Sequence, residues 1–110
     1  MYLPKKDLYE SLLTLGHSVD QSQPEVFNDL PAIIFRVDDN TPNIDLDNDI
    51  LYQDIEVIID IWAESSVEAS NVLSEVEELM RSNYYRMTYS SDVPNSGNIY
   101  HILSRFVKVN

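Results

Sequence analysis

A chain of 110 residues and 12.7 kDa, 44% hydrophobic and 24% charged, is sized for one globular domain, enough for a single core but not for a large enclosed cleft beside it. Its lack of cysteine excludes disulfide scaffolds, thiolate zinc sites, iron–sulfur clusters and cysteine nucleophiles. Seven Lys and Arg against 19 Asp and Glu give a net charge of −12 and a pI near 4.2, which disfavours a nucleic-acid clamp or binding to an anionic membrane, both of which draw on Lys and Arg.

The amino terminus, Met1-Tyr2-Leu3-Pro4-Lys5-Lys6-Asp7, lacks a signal-peptide core, and no apolar run reaches the ~18 residues of a membrane span. The chain is therefore expected to stay inside the cell that makes it. Pro4, the stripe Leu8, Leu12, Leu13 and Leu15, and Gly16 directly after it outline a short first helix. From His17 to Leu30 the polar spacing around Ser22, Gln23 and Pro24 breaks the periodicity, leaving room for a short strand, with Val26 and Phe27 as anchors to the core.

After Pro31 the run Ala32 to Val37 predicts a mostly buried strand, and Asp38 to Asn48 a polar loop around Pro42. Leu51 to Ala63 predicts a long strand whose faces separate by alternation. Ile55, Val57, Ile59 and Ile61 share one face. Asp54, Glu56, Ile58, Asp60 and Trp62 share the other, a mixture that marks a candidate contact surface.

Ser65-Ser66-Val67-Glu68 fits a capping box, with Ser65 accepting from a backbone N–H and Glu68 reaching back to the N–H of the cap residue. The helix it starts carries Ala69, Val72, Leu73, Val76, Leu79 and Met80 at helical spacing as far as about Ser82. Tyr84 to Tyr89 and Ile99 to Val109 are β-rich runs joined by the turn residues Asp92 to Gly97, and predict an antiparallel hairpin. The expected fold is α+β in two layers, both helices on one face of a mostly antiparallel sheet of about four strands.

Chemistry-bearing patterns are few. Asp45, Asp47, Asp49 and Glu56 stand at the spacing of calcium-loop ligands, but Ile50 occupies the position that requires glycine, and a strand follows where a helix should. His17 and His101 have no carboxylate at a local spacing. With two glycines and no G-x-S-x-G or Ser-x-x-Lys pattern, nucleophilic catalysis has no support. Asp54 and Glu56, about 7 Å apart on one strand face, have a spacing compatible with paired-carboxylate chemistry, but no tuned acid or base partner is evident. No catalytic, cofactor or metal site is expected.

Surface features are more informative. Between Asp38 and Glu64 there are nine acids and no Lys or Arg, so this stretch holds three quarters of the net charge. Asp38, Asp39, Asp45, Asp47 and Asp49 are candidates for lining a channel or facing a partner. Tyr85, Tyr89 and Phe106 are expected to fill the core. Because strands apolar on both faces have more greasy surface than one helical layer covers, Ile34, Ile58, Trp62, Leu103 and Val107 are candidate subunit or partner contacts.

Leu30-Pro31-Ala32-Ile33-Ile34-Phe35, the run Tyr52-x-x-Ile55-x-Val57-x-Ile59-Asp60-Ile61-Trp62-Ala63, the helix start at Ser65, Glu68 and Ala69, Met80, and Tyr100-His101-x-x-x-Arg105-Phe106 together resemble the tail completion, or tail terminator, proteins of long-tailed bacteriophages and prophages. The likeness runs from about Pro4 to Val109, and the acidic stretch at 38–49 falls outside its pattern. The resemblance implies a structural virion protein that is not an enzyme. It would assemble as a homo-oligomeric ring, typically a hexamer, in the bacterial host cytoplasm. In the virion tail the ring would cap the tube protein and join it to the head connector, while DNA passes through without specific binding. Two rivals come from other classes: an acidic protein-binding module or inhibitor, similar to a DNA mimic, acting on a basic partner, and a small hydrolase or metal-dependent enzyme.

Overall fold

Proline at a helix start loses no hydrogen bond, and the chain uses this at Pro4, where helix α1 (Pro4–Leu13) begins. The structure, a computed structural model, describes residues 4–21, 29–44, 50–94 and 99–108. The anchors expected at Val26 and Phe27 and the acids Asp45, Asp47 and Asp49 lie outside these residues, as do 95–98 of the last turn. Helix α1 ends in a tight turn where Thr14, Leu15 and Gly16 donate to carbonyls three residues back. Gly16 takes a φ of +82°, the left-handed conformation that a glycine allows after a helix.

The remaining elements are β1 (Ser18–Asp20), β2 (Ala32–Ile44), β3 (Ile50–Ala63), α2 (Ser66–Ser82), β4 (Tyr85–Val93) and β5 (Tyr100–Lys108). They form an α+β domain whose sheet has the strand order β1-β2-β3-β5-β4. The sheet differs from the expected one in having five strands and one parallel pair, because Ser18–Asp20 runs beside Ala32–Ile34. The other pairings are antiparallel. None of the described helices is long and apolar enough to cross a membrane.

Alternation sorts the inner face as the sequence pattern requires. Ile33 and Phe35 of β2, Ile55, Val57, Ile59 and Ile61 of β3, and Ile102 and Phe106 of β5 are buried with Leu8 and Leu12 of α1 and Ala69, Val72, Val76 and Met80 of α2. Both helices thus contribute to one core against one sheet face. The Tyr9 ring meets Phe35 edge-on at 6.4 Å. Ser104, the one polar residue fully buried among the described ones, donates to the Ile59 carbonyl at 2.9 Å, which removes the cost of an unpaired hydroxyl.

Helix α2 is capped by Ser65, whose side chain accepts from the Glu68 N–H at 3.1 Å. Glu68 in turn accepts from the N–H of Glu64, one residue before the expected partner. Tyr85 is buried as expected, but Tyr89 is 55% exposed. A register shift between Met87 and Tyr89 explains the difference: one extra residue in the strand sends the next side chain to the opposite face.

The segment expected to be a polar loop from residue 38 is instead strand as far as Ile44, and β3 begins at Ile50. Between Val37 and Asp39 the β2–β3 register shifts by one residue. The last β3–β5 pair is Glu56↔Val107, yet β2 and β3 stay paired from Asn40↔Ile55 out to Ile44↔Ile50. Those five further pairs correspond to about 17 Å of two-stranded arm. The molecule measures 54 × 23 × 22 Å, and its radius of gyration of 15.0 Å exceeds the roughly 13 Å of a compact chain of this length.

Candidate functional site

Two surfaces concentrate the side chains singled out by the sequence: the arm, and the sheet face turned away from the helices. On that outer face, register aligns Ala32, Trp62, His101 and Val93 in one row and Ile34, Asp60, Leu103 and Ser91 in the next. Arg36, Ile58, Arg105 and Tyr89 make a third row, and Glu56, Val107 and Arg86 a fourth.

The acids of β3 are tied to β5. Arg105 Nε lies 2.9 Å from Glu56 Oε1, and His101 Nε2 lies 2.6 Å from Asp60 Oδ1. Each pair is diagonal to the register, as cross-strand neighbours two residues apart allow. The His101 ring also stacks on Trp62, with centroids 3.7 Å apart and planes 11° from parallel. Both histidines therefore have carboxylate partners that local spacing did not reveal, since His101 and Asp60 are 41 residues apart, and His17 meets Glu75, 58 residues away, at 3.2 Å. Only the register of β3 against β5 and the packing of α2 bring them together.

These contacts change the expectation for the five apolar residues of this face. Ile34, Ile58 and Trp62 are 8%, 3% and 7% exposed within the single chain, and Leu103 and Val107 are half-buried. The expected open apolar surplus is therefore largely closed without a partner. Leu30, just before the cis Leu30–Pro31 peptide, and Ile99 pack against Ala32, Ile34 and Trp62. Ile58 is flanked in register by Arg36 and Arg105, whose aliphatic stems are long enough to shield a neighbouring side chain while their charged heads stay in water.

The acidic candidates separate by position. Asp38 is exposed on β2, and Asp39 stands opposite Glu56 at the root of the arm. Asp54 pairs in register with Thr41 farther out. Glu56, the twelfth position of the calcium-loop spacing, lies within a strand and is held by Arg105, so it does not close such a loop. Among the described residues no three His, Asp or Glu side chains are grouped to hold a metal ion.

A cleft at the start of α2 is lined by Glu64, Ser66, Ser70, Asp92, Tyr100 and His101. A serine or threonine nucleophile needs its hydroxyl hydrogen-bonded to a base. Among the described residues the hydrogen bonds of His17 and His101 go to carboxylates rather than to a hydroxyl. At the end of β5 Lys108 donates to the Asn83 carbonyl at 2.9 Å, with its ammonium 4.8 Å from the centre of the Tyr85 ring. Burial pushes the Lys108 pKa down, and the negative charge of Asp7 partly offsets this.

No protein-family model and no curated protein matches the chain.

Proposed function

We propose that the protein is a structural assembly subunit that closes into a ring, of the kind that caps a phage or prophage tail tube and joins it to the head connector. The observation that carries this reading is the arm formed by Asn40–Ile44 and Ile50–Ile55, which continues past its last third-strand neighbour. A two-stranded ribbon is marginally stable in water by itself, and among the described residues neither edge of this one is paired, which leaves backbone donors and acceptors to be met. An arm of this kind gains most by lying against another subunit. If it reaches a different surface on the next copy, the contact is heterologous, and a closing rotation makes it a ring.

The resemblance in sequence supports the same reading and supplies the tail tube and head connector as partners. Purified chain added to a polymerising tail tube protein from the same genome should arrest growth, giving shorter tubes with a ring at one end by electron microscopy. Unchanged tube lengths and bare ends would reject the capping role.

One observation favours the acidic binding module instead. With Ile34, Ile58 and Trp62 already buried, the sheet face supplies little apolar drive for self-association. A chain that stays single and binds a basic protein in a salt-sensitive way would support that second reading.

A further inference from the structure

The layer formed by α2 and β4 has two unlike ends. Where α2 finishes and β4 begins, Tyr84 takes a φ of +67°, a conformation that bulky residues rarely adopt, and it is 70% exposed. Arg81, Arg86 and Met87 line a groove beside it, and the Lys108 ammonium lies 5.7 Å from the centre of its ring. Arg81 is engaged by Glu77, whereas Arg86 is exposed on β4 and makes no ion pair among the described residues. The arm leaves this end from β2 and β3, with β5 lying between them and β4.

At the opposite end, where α2 starts and β4 finishes, lies the cleft that Glu64 and Asp92 border, about 590 Å³ in volume. Ala69 and Ile102 give it a buried apolar lining, both acids are exposed, and no Lys or Arg is among the described residues around it. Glycine would turn the chain at position 84 without strain, so the fold itself has little use for a tyrosine there. An aromatic ring with a polar tip is instead the kind of group that anchors protein contacts by filling a pocket.

Copies that each carry −12 repel one another in any arbitrary orientation, so a lasting contact must set a cation of one chain against carboxylates of the next. We infer that Tyr84 of each chain enters the cleft at the start of α2 in the next copy, where Arg86 meets the carboxylates of Glu64 and Asp92. The inference rests on the assembly reading above and adds a second contact to the one made by the arm. It makes the contact head-to-tail, because the two surfaces lie at opposite ends of one layer.

The test is sedimentation velocity on four variants. Tyr84→Gly relieves the backbone strain, so it should unfold at the same urea concentration as the unaltered protein or a higher one, yet associate at least about tenfold more weakly. Arg86→Glu and Asp92→Arg should each weaken association by a similar factor, the second even though it lowers the overall repulsion. The combined chain R86E/D92R, with the net charge of the unaltered protein, should assemble again, which also shows that neither change prevents folding. If Tyr84→Gly assembles as the unaltered protein does, if Asp92→Arg assembles more tightly, or if the combined chain does not recover, this contact is wrong while ring assembly stands. If the unaltered protein remains a single chain at every concentration, the assembly reading itself fails and this contact fails with it.

Discussion

Ile58 has a charged neighbour on either side in register, Arg36 on β2 and Arg105 on β5, and is nonetheless buried. If that burial is intrinsic to the single chain, Ile58→Ala should lower unfolding free energy in urea by about 2–5 kcal/mol without changing the mass of the folded species. Loss of assembly with unaltered stability would instead make Ile58 an interface residue. His101→Ala removes both the Asp60 hydrogen bond and the ring stacked on Trp62, and should cost about 2–3 kcal/mol in the same assay. Lys108 should titrate below the ordinary lysine range when its side-chain resonance is followed by NMR. Because the folded state then holds that proton less tightly than the unfolded chain, this group's contribution to stability rises with pH through the interval between the two pKa values. At the residue scale the inner face was legible, since Ile55, Val57, Ile59 and Ile61 alternate without interruption. Tyr89 was not, because a single inserted residue in β4 reverses its face and leaves no mark on composition. The two histidine pairs were hidden for a different reason: their partners are adjacent only after strands and helix have been assembled.

Among the elements, α2 is the one most fully announced by its residues, from the Ser65 cap to the stripe ending at Met80. Ser65→Ala should cost about 1 kcal/mol of stability in urea unfolding through loss of the bond to the Glu68 N–H. β2 is the opposite case. Asp38, Asp39, Asn40 and Pro42 have poor strand propensity and read locally as a loop, but pairing with β3 overrides that preference as far as Ile44. Proline is tolerated there because no second neighbour flanks that side of the arm among the described residues. Replacing Thr41–Asp54 by an Asn-Gly turn, which suits a two-residue hairpin closing on the Asn40↔Ile55 pair, should keep the circular dichroism spectrum and cooperative unfolding of the domain. Loss of cooperative unfolding would mean that the arm belongs to the core rather than projecting from it. The short strand β1 was foreseeable only as a break in periodicity, since a three-residue strand carries no pattern of its own.

For the whole molecule, the large negative charge opposes association, and among the described residues the arm has no third strand beside it. Assembly through opposite charges should weaken as salt rises, because the screening length falls from about 10 Å at 0.1 M to about 3 Å at 1 M. Assembly through an apolar face would resist the same change. The most direct test of the account is the solution mass of the full chain beside that of the arm-shortened chain, measured by light scattering over the same concentration range. The account predicts a discrete multiple of 12.7 kDa for the full chain and a folded single chain for the shortened one. A single-chain mass for both, or an undiminished multiple after the arm is removed, would contradict it.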